Sequence, residues 1–544
     1  MDTVGLLLEQ LIQTRPEDRT ALRRAKTRVA SQASTALIRN DALLARYRDE
    51  VARGARPPDA RLERLLTLNR IRSESGLAIV TVITEPYACP GRCVFCPTEA
   101  RAPKSYLTNE PAMMRAVRND YDPYRQVLSR LETLAATGHP TDKIELIVKG
   151  GTWSFYPARY QREFIRRCLE AANSFAGGWG VWAEGKNPEP RAQSPEPTAC
   201  SSLEAVQRIN ETAQCRIIGI TVETRPDYID ASEILRLREL GVTRVELGVQ
   251  TLEESVLERI IRDHGTLEVR QATRLLKDAG FKVAYHLMPN LPGASPESDL
   301  ESARALFEDP GYRPDAMKLY PCVVIDSAEL AAWWRDGRYT PYDDETLIAL
   351  LIRIKQCVPP YVRIERVIRD IPSTSIRAGC QVTNLREELH RRLRAQGLRC
   401  RCIRCRQVRD SAAGAFTLVR HTYEASGGLE VFLSFEDAAT DRLASLLRLR
   451  LPSPQAPHQP DVLRDAALIR ELHSYGPHVA LHDHREDAVQ HQGFGRRLMR
   501  EAERIAREEF GRRRIAVIAG IGVREYYRRL GYALEGTYMV KRLA

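Results

Sequence analysis

The chain has 544 residues, of which 43% are hydrophobic and 28% charged, as in an ordinary globular protein too long for a single core. It has no apolar run of membrane-spanning length and does not open like a secretory signal, so we expect a cytoplasmic protein without a membrane partner. Twelve cysteines in such a chain favour metal ligation over disulfides, and a net charge of +11 fits a polyanionic partner.

Residues 1–75 are predicted to form basic helices. Apolar residues recur at helical spacing, and arginines such as Arg23, Arg24 and Arg28 occupy the polar faces. Such a surface can bind phosphate groups. Acidic residues are interleaved with the basic ones, however, so a plain solvated face explains this stretch equally well.

From residue 76, β-branched segments alternate with amphipathic ones. Strands are predicted at 78–84, 143–149, 216–223, 244–250, 282–288 and 316–320. This alternation predicts a parallel sheet, and six β/α units would form a partial barrel with its chemistry at the C-terminal strand ends.

Polar residues stand where these strands end. They are Glu223, Arg225, Gln250 and His286, and Gly150-Gly151 follows the second strand. Each residue alone could be a strand-end cap or a turn. Together, on successive strands, they favour a site, and the two glycines would let a cofactor approach the backbone closely.

Three cysteines follow the first strand at the spacing C-x3-C-x2-C. Cys89, Cys93 and Cys96 lie on a tight turn that contains Pro90 and Gly91. The pattern resembles the radical S-adenosylmethionine (SAM) enzymes, in which three cysteines hold a 4Fe-4S cluster and one iron stays open for a ligand. A zinc loop is the alternative, but zinc sites usually add a second cysteine pair, and none lies nearby in the sequence.

A second cysteine group lies beyond the last predicted barrel strand. Cys400, Cys402 and Cys405 have the spacing C-x-C-x2-C, which favours a structural zinc site in a linker between two domains. The fourth ligand could be Cys380, His390 or a solvent molecule. A second iron-sulfur cluster is the rival interpretation.

From residue 413 the pattern becomes mixed α/β. Gln490-x-x-Gly493-x-Gly495 opens an amphipathic helix, where free N–H groups and the positive helix end could cradle a diphosphate. A strand at 515–518 and the motif Tyr527-x-x-x-Gly-Tyr532 follow. This order is similar to the Gcn5-related N-acetyltransferase fold, in which the cradle holds coenzyme A.

A radical-SAM barrel joined to an acetyltransferase domain resembles the catalytic subunit of the Elongator complex and its stand-alone bacterial and archaeal relatives, over essentially the whole chain. The stretches that carry the resemblance are Cys89–Cys96, Asn109–Arg118, Tyr121–Tyr124, Gly219–Asp227, Arg470–Gly476, Gln490–Gly495 and Tyr527–Tyr532. It implies an α/β protein with four parts: a basic helical tRNA-binding region, a partial (β/α)6 barrel, a zinc-binding linker and an acetyltransferase domain. Their predicted bounds are 1–75, 76–370, 371–412 and 413–544.

The resemblance further implies an enzyme that carboxymethylates C5 of the wobble uridine in the anticodon stem-loop of tRNA. Acetyl-CoA would donate the carbon atoms, and SAM on a 4Fe-4S cluster would supply the radical that unreactive carbons need. The cluster ligands carry over to Cys89, Cys93 and Cys96. Lys143 and Tyr527 are expected to be catalytic. The acetyl-CoA contacts carry over to Lys143, Glu471, Leu472, His473, Ser474, Phe494, Gly495, Arg496 and Tyr527.

Two other functions remain open on the sequence. A protein lysine acetyltransferase would use the cluster only structurally and would form no 5′-deoxyadenosine. A non-catalytic RNA-binding scaffold would tolerate Cys89→Ala and Tyr527→Phe. The sequence leaves open whether the protein works as a homodimer or with accessory subunits.

Overall fold

The computed structural model describes residues 2–33, 36–67, 77–175, 202–409, 414–453, 456, 460–476 and 493–543. In these ranges we find no helix that combines the length and the apolar character needed to cross a membrane.

The N-terminal region is a small helical unit with its own core, as predicted. Its helices are α1 (Thr3–Thr14), α2 (Arg19–Gln32), α3 (Asn40–Ala52) and α4 (Ala60–Leu66). The side chains of Asp2, Asp18 and Asp59 accept hydrogen bonds from backbone N–H groups in the first turns of α1, α2 and α4, which fixes where these helices begin. Leucines that recur at helical spacing, with Tyr47, fill the interior.

Seven parallel strands form the central sheet of the described chain, and neighbours in the sheet are neighbours in sequence. They are β1 (Ala78–Ile83), β2 (Lys143–Lys149), β3 (Arg216–Thr224), β4 (Arg244–Gln250), β5 (Lys282–Leu287), β6 (Ala316–Leu319) and β7 (Arg363–Arg366). The first six confirm the predicted units. The seventh was missed because the sequence Arg-Ile-Glu-Arg carries no β-branched run.

Helices connect successive strands, as a parallel sheet requires. They are α5 (Pro111–Arg118), α6 (Pro123–Ala136), α7 (Ala158–Ser174), α8 (Leu203–Asn210), α9 (Ala231–Glu239), α10 (Glu254–Arg259), α11 (Thr266–Asp278), α12 (Pro296–Glu308), α13 (Leu330–Arg335) and α14 (Asp344–Cys357). All the C-terminal strand ends therefore meet at one edge, which places the polar residues predicted there side by side.

Two short helices link the barrel to the C-terminal domain: α15 (Leu385–Ala395) and α16 (Ile403–Arg406). The C-terminal sheet contains β8 (Thr417–Ala425), β9 (Gly428–Asp437), β10 (Arg442–Leu451), β11 (Ala466–Ser474), β12 (Arg514–Val517), β13 (Ala533–Glu535) and β14 (Tyr538–Arg542). Only β11 and β12 pair in parallel; the other neighbours are antiparallel. Helix α17 (Phe494–Arg504), which continues as a π-helical turn (Ile505–Glu509), and α18 (Arg524–Arg528) lie in the same domain. A mixed sheet of this kind agrees with the predicted acetyltransferase domain.

The barrel and the C-terminal domain meet in a seam of buried ion pairs. Arg470 donates to both oxygens of Asp315, at 2.8 and 2.6 Å, and to Glu430 at 2.9 Å. Asp315 and Arg470 have fully buried side chains. On another side of the seam, Glu211 accepts hydrogen bonds from Arg524 (2.9 Å) and Arg528 (2.6 Å) of α18.

At one point of the seam the two backbones touch. A side chain on Gly520, in the loop before α18, would clash with the carbonyl oxygen of Ile218 in β3. A side chain on Gly522 would clash with Arg216 of the same strand. Glycine is therefore required here by close approach of two domains.

Candidate active site

The cysteine loop lies at the C-terminal edge of the barrel and is held by arginines. The Sγ atom of Cys93 accepts a hydrogen bond from Arg262, with 3.3 Å between Nη1 and Sγ. Arg225 packs so closely on Gly91 that any side chain there would clash with it. Cys89 Sγ lies 3.9 Å from Thr152 Oγ1. The loop thus presents its thiols beside fixed positive charge, which stabilises thiolate ligands.

Among the predicted strand-end side chains, two meet and one turns away. Glu223 and His286 lie together, with 3.2 Å between Glu223 Oε1 and His286 Nδ1, and Tyr106 donates to Glu223 at 3.3 Å. The exception is Arg225, whose guanidinium turns away to bind both oxygens of Asp227, at 2.9 and 2.8 Å. Its part in the site is therefore to support the cysteine loop.

A buried charge network that the sequence analysis missed lies below these residues. Glu246, in the middle of β4, is fully buried and accepts hydrogen bonds from Lys149, Lys318, Arg244 and His286. Burial alone would raise the pKa of Glu246, but the charges of Lys149, Lys318 and Arg244 outweigh it and hold this pKa well below its usual range. The carboxylate therefore stays ionised and fixes its partners inside the barrel.

One lysine of this network has a lowered pKa. Burial lowers the pKa of Lys318 to about 8, although Glu246 attracts its charge. A pKa near neutrality lets this ammonium group hold or release a proton at Nζ at physiological pH. The missed signal was a charged residue inside an apolar strand, at Glu246 and at Lys318, because such a side chain must face a partner in the barrel interior.

The predicted glycine pair has a structural explanation. Gly150 has φ +159°, and any side chain there would clash with Thr84 on the neighbouring strand. Gln250 lies at the end of β4 with φ +72°, and its Oε1 is buried without a hydrogen-bond partner in the described part of the chain. Gly150 and Gly151 do not line the large cavity, whereas Gln250 does.

One cavity of about 1210 Å³ joins the barrel to the C-terminal domain. Phe95 of the cysteine loop and Gln250 line it on the barrel side, together with Lys149, Lys318 and His286. It is also lined by residues predicted to contact acetyl-CoA: Lys143 of the barrel, and Glu471, Leu472, His473, Ser474, Gly495, Arg496 and Tyr527 of the C-terminal domain. The two halves of the predicted chemistry thus share one space.

Some predicted coenzyme residues have other roles in the structure. The ring of Phe494 packs in the core at 4.3 Å from the ring of Phe435, so its side chain does not line the cavity. Glu471 is bound by Lys282 at 2.7 Å and by Arg448 at 2.8 Å. Gln490 of the predicted cradle lies outside the described residues. Gly493, the last residue before α17, has φ +70°, which favours glycine.

The second cysteine group forms a compact knot. The sulfur atoms of Cys400, Cys402 and Cys405 all lie within 4.8 Å of one another. His390 Nε2 is 3.6 Å from Cys405 Sγ, and Lys355 Nζ is 4.0 Å from the same sulfur. Three soft donors and an imidazole at such distances fit a tetrahedral metal ion.

Comparison with known proteins decides the family. The chain matches the model of the radical SAM superfamily over residues 86–306 and that of the radical SAM C-terminal domain over residues 314–395. It is 45% identical to the tRNA uridine(34) acetyltransferase of Dehalococcoides mccartyi, over 87% of this chain and 99% of that protein. The chain belongs to the tRNA uridine(34) acetyltransferase family.

The family extends to eukaryotes and includes a solved structure. The chain is 38% identical to Elongator complex protein 3 of Homo sapiens, over 100% of this chain and 97% of that protein. The structure of Methanocaldococcus infernus Elp3 lacking residues 1–46 matches with a TM-score of 0.72 and 41% identity, over 86% of this chain and all of that one. As a radical SAM domain, the barrel implies SAM and a 4Fe-4S cluster as cofactors.

Proposed function

We propose that this protein attaches a carboxymethyl group to C5 of the wobble uridine of tRNA, with acetyl-CoA as the carbon donor. The observation that carries the proposal is the shared cavity, which Phe95 of the cysteine loop and Tyr527 of the C-terminal domain both line. An enzyme that only acetylates protein lysines has no use for a space that connects a coenzyme site to a cluster. The names of the relatives, tRNA uridine(34) acetyltransferases, support the substrate.

Cys89, Cys93 and Cys96 would hold the 4Fe-4S cluster. The loop fits it, because the arginine that donates to Cys93 Sγ compensates thiolate charge, and hydrogen bonds to cluster sulfurs tune reactivity. With SAM bound, this centre supplies the radical that abstracts hydrogen from carbon. The residues at the strand ends would orient the uracil ring. Addition of an acetyl-derived carbon radical at C5 would require the loss of one electron, for which the cluster would be the acceptor, and of the C5 proton, which Lys318 Nζ in its neutral fraction would take. Water would then hydrolyse the thioester and release coenzyme A.

The C-terminal domain would bind acetyl-CoA at the opposite end of the cavity. The N–H groups at the start of α17 and the positive end of that helix suit the diphosphate. Tyr527 is buried, and burial raises the pKa of its phenol, so it stays neutral and can donate a proton to the departing thiolate of coenzyme A. Lys143, at the start of β2, would contact the coenzyme from the barrel side.

The cysteine knot would hold a structural zinc ion, with His390 as its fourth ligand. Cys380, the other candidate, interacts with Asp344 and Val382 instead. We expect His390→Ala to lower the zinc content of the purified protein, measured by atomic absorption, while Cys380→Ala retains it. Equal loss in both variants would remove the distinction between them.

The exposed face of α2 would bind tRNA. Arg23, Arg24 and Arg28 are exposed, and within the described ranges none has a carboxylate within 4.0 Å. Arg46 and Arg48, on α3, are instead occupied by Glu50 and Glu63. Reversing the charge of the three α2 arginines should weaken tRNA binding and reduce its dependence on salt. Identical isotherms across a salt series would contradict this assignment.

Nucleoside mass spectrometry tests the function directly. Unmodified tRNA is incubated without oxygen with reconstituted protein, acetyl-CoA, SAM and a reductant. We expect carboxymethyluridine with the wild-type protein and none with Cys93→Ala. Acetylated protein lysines without modified uridine would instead support the lysine acetyltransferase.

A further inference from the structure

The charges on the wall of the shared cavity do not balance. Every carboxylate that lines it is already in an ion pair with a side chain of the protein. They are Glu110, Glu145, Glu223, Asp315, Glu365, Asp370 and Glu471. Several arginines on the same wall have no carboxylate within 4.0 Å in the described part of the chain: Arg216, Arg363, Arg404, Arg496 and Arg529. This wall therefore carries an excess of positive charge, which favours the binding of anionic ligands.

Two of these arginines belong to a cluster beside the cysteine knot, which we call the arginine triad (Arg363, Arg386 and Arg404). The backbone N–H of Ile403 donates to the carbonyl of Val362 at 3.0 Å, which holds α16 and its Arg404 against the start of β7. Arg386 of α15 donates to the carbonyl of Ile364 at 3.3 Å. Two separate contacts thus bring three guanidinium groups onto the first residues of one strand.

The triad is held in position, but no carboxylate of the described residues pairs with its three guanidinium groups. Arg363 donates to the hydroxyl of Tyr475 at 3.2 Å and lies over that ring, 5.5 Å from its centroid. Nη1 of Arg386 is buried and has no hydrogen-bond partner among the described residues. The carboxylate nearest in sequence, Glu365, is 2.8 Å from Arg244 and so already engaged. A buried donor without a partner is costly unless a ligand supplies one.

The cysteine knot balances only part of this charge, although its sulfurs attract Arg386 and Cys402 also attracts Arg363. Three thiolates with one zinc ion leave a single negative charge, and Lys355 Nζ, 4.0 Å from Cys405 Sγ, already opposes it. Acetyl-CoA does not account for it either, because the predicted coenzyme contacts use Lys143 and Arg496 and include no member of the triad. A flipped-out nucleotide, by contrast, brings its flanking phosphodiesters to the cavity wall when its base enters.

Resting on the proposed function, we infer that Arg363, Arg386 and Arg404 form a phosphate site that holds an RNA phosphodiester next to the nucleotide being modified. The planar guanidinium fork matches a phosphate with two parallel hydrogen bonds, which a lysine cannot do. This contact would fix the register of the anticodon loop, so that one nucleotide and not its neighbour reaches the strand-end residues.

The test measures binding of an anticodon stem-loop RNA by fluorescence anisotropy over a salt series. We expect Arg404→Gln and Arg363→Gln each to bind about tenfold more weakly than wild type, and the slope of log affinity against log salt to fall by about 0.7. The matched control is Arg304→Gln, because Arg304 is exposed on α12 and outside the cavity. Acetyl-CoA affinity should stay unchanged in all three variants.

A modified RNA identifies the phosphate. An uncharged methylphosphonate linkage beside the wobble uridine should weaken binding to wild type but cause no further loss in Arg404→Gln. Additive losses at every linkage tested would overturn the inference, as would unchanged RNA isotherms in both variants. Loss of acetyl-CoA affinity instead of RNA affinity would assign the triad to a coenzyme phosphate and likewise overturn it.

Two further measurements distinguish the loss of a specific contact from the misfolding of a variant. Arg404→Lys, which keeps the charge beside the knot, should retain the salt slope but lose part of the affinity; wild-type affinity in this variant would contradict bidentate recognition. Zinc content and thermal melting show whether each variant is folded. Absence of RNA binding by the wild-type protein would overturn the proposed function itself, which a failure of the triad alone would not.

Discussion

The two cysteine sites use the same residue type in opposite ways. The sulfurs of Cys400, Cys402 and Cys405 lie within 4.8 Å of one another, with His390 against them. In the other loop, Cys89 and Cys93 have separate neighbours, Thr152 and Arg262. A structural site closes on itself because every coordination position is filled by protein, whereas a catalytic site keeps its ligands around a space that another molecule can enter.

The spacing of the cysteines in the sequence accounts for only part of the difference between the two sites. Two extra residues between the first two cysteines, C-x3-C against C-x-C, permit a wider loop. Neighbouring residues complete the difference: Arg262, 169 positions from Cys93, for one site and His390, 15 positions from Cys405, for the other. The following predictions test whether one site serves only chemistry and the other only structure.

The largest effect is expected from Cys93→Ala. Loss of a cluster ligand should abolish formation of carboxymethyluridine, measured by nucleoside mass spectrometry, while thermal melting and zinc content stay near wild type. Cys357→Ala is the control, since the thiol of Cys357 donates to the carbonyl of Arg353 in its own helix and is not a ligand candidate in either site. A fall in zinc content in Cys93→Ala would contradict the assignment of zinc binding to the knot alone.

Cys402→Ala should act on stability. Removing a buried ligand of the knot should eliminate bound zinc and lower the free energy of unfolding by roughly 3–5 kcal/mol, followed by denaturant unfolding with circular dichroism. The iron content after reconstitution should remain at the wild-type level. A normal stability together with lost iron would mean that this knot, and not the first loop, binds the cluster.

Asp315→Asn tests how much the buried ion pairs of the seam contribute to the free energy of unfolding, for comparison with the knot. Breaking a buried ion pair while Arg470 stays charged should cost about 3 kcal/mol. Although burial alone would raise it, the charges of Arg470 and Lys277 hold the pKa of Asp315 well below its usual range. Its stabilisation is thus complete above the unfolded pKa of about 4 and is lost as pH falls further.

The free energy of unfolding that Asp315→Asn loses relative to wild type should therefore be constant near neutral pH and become smaller below pH about 4. Urea unfolding at a series of pH values measures it. A deficit that grows on acidification would contradict the assignment of Asp315 as an ionised partner of Arg470.

The smallest effect is expected from Glu211→Gln. The amide keeps one hydrogen bond but loses the charge opposite Arg524, which is buried, and Arg528, which is partly exposed, so stability should fall by about 2 kcal/mol. Because these arginines flank Tyr527 on α18, the KM for acetyl-CoA in the uridine-modification assay should rise about threefold with little change in iron or zinc content. An unaltered KM would limit Glu211 to holding the seam.

The sequence alone located most of the strands and the convergence of Glu223 with His286, because parallel strands bring their ends to one edge. It missed β7 and the network around Glu246, since periodicity does not tell which charged side chain faces the interior of a barrel. Partners in the seam, such as Asp315 and Arg470, are separated by 155 positions, and no local signal links them. The fourth position of the knot was open for another reason, since both His390 and Cys380 lie near the knot in sequence and spacing does not choose between them.

The backbone contact at Gly520 has an evolutionary consequence. Many fused domains can be exchanged between proteins, because the side chains at their junction can adapt to a new neighbouring domain. Here the main chains of two domains touch without side chains between them, so a transplanted acetyltransferase lacking glycine at this position would not seat on β3. We therefore expect chimeras of family members to function only when their junction is copied together with its glycines.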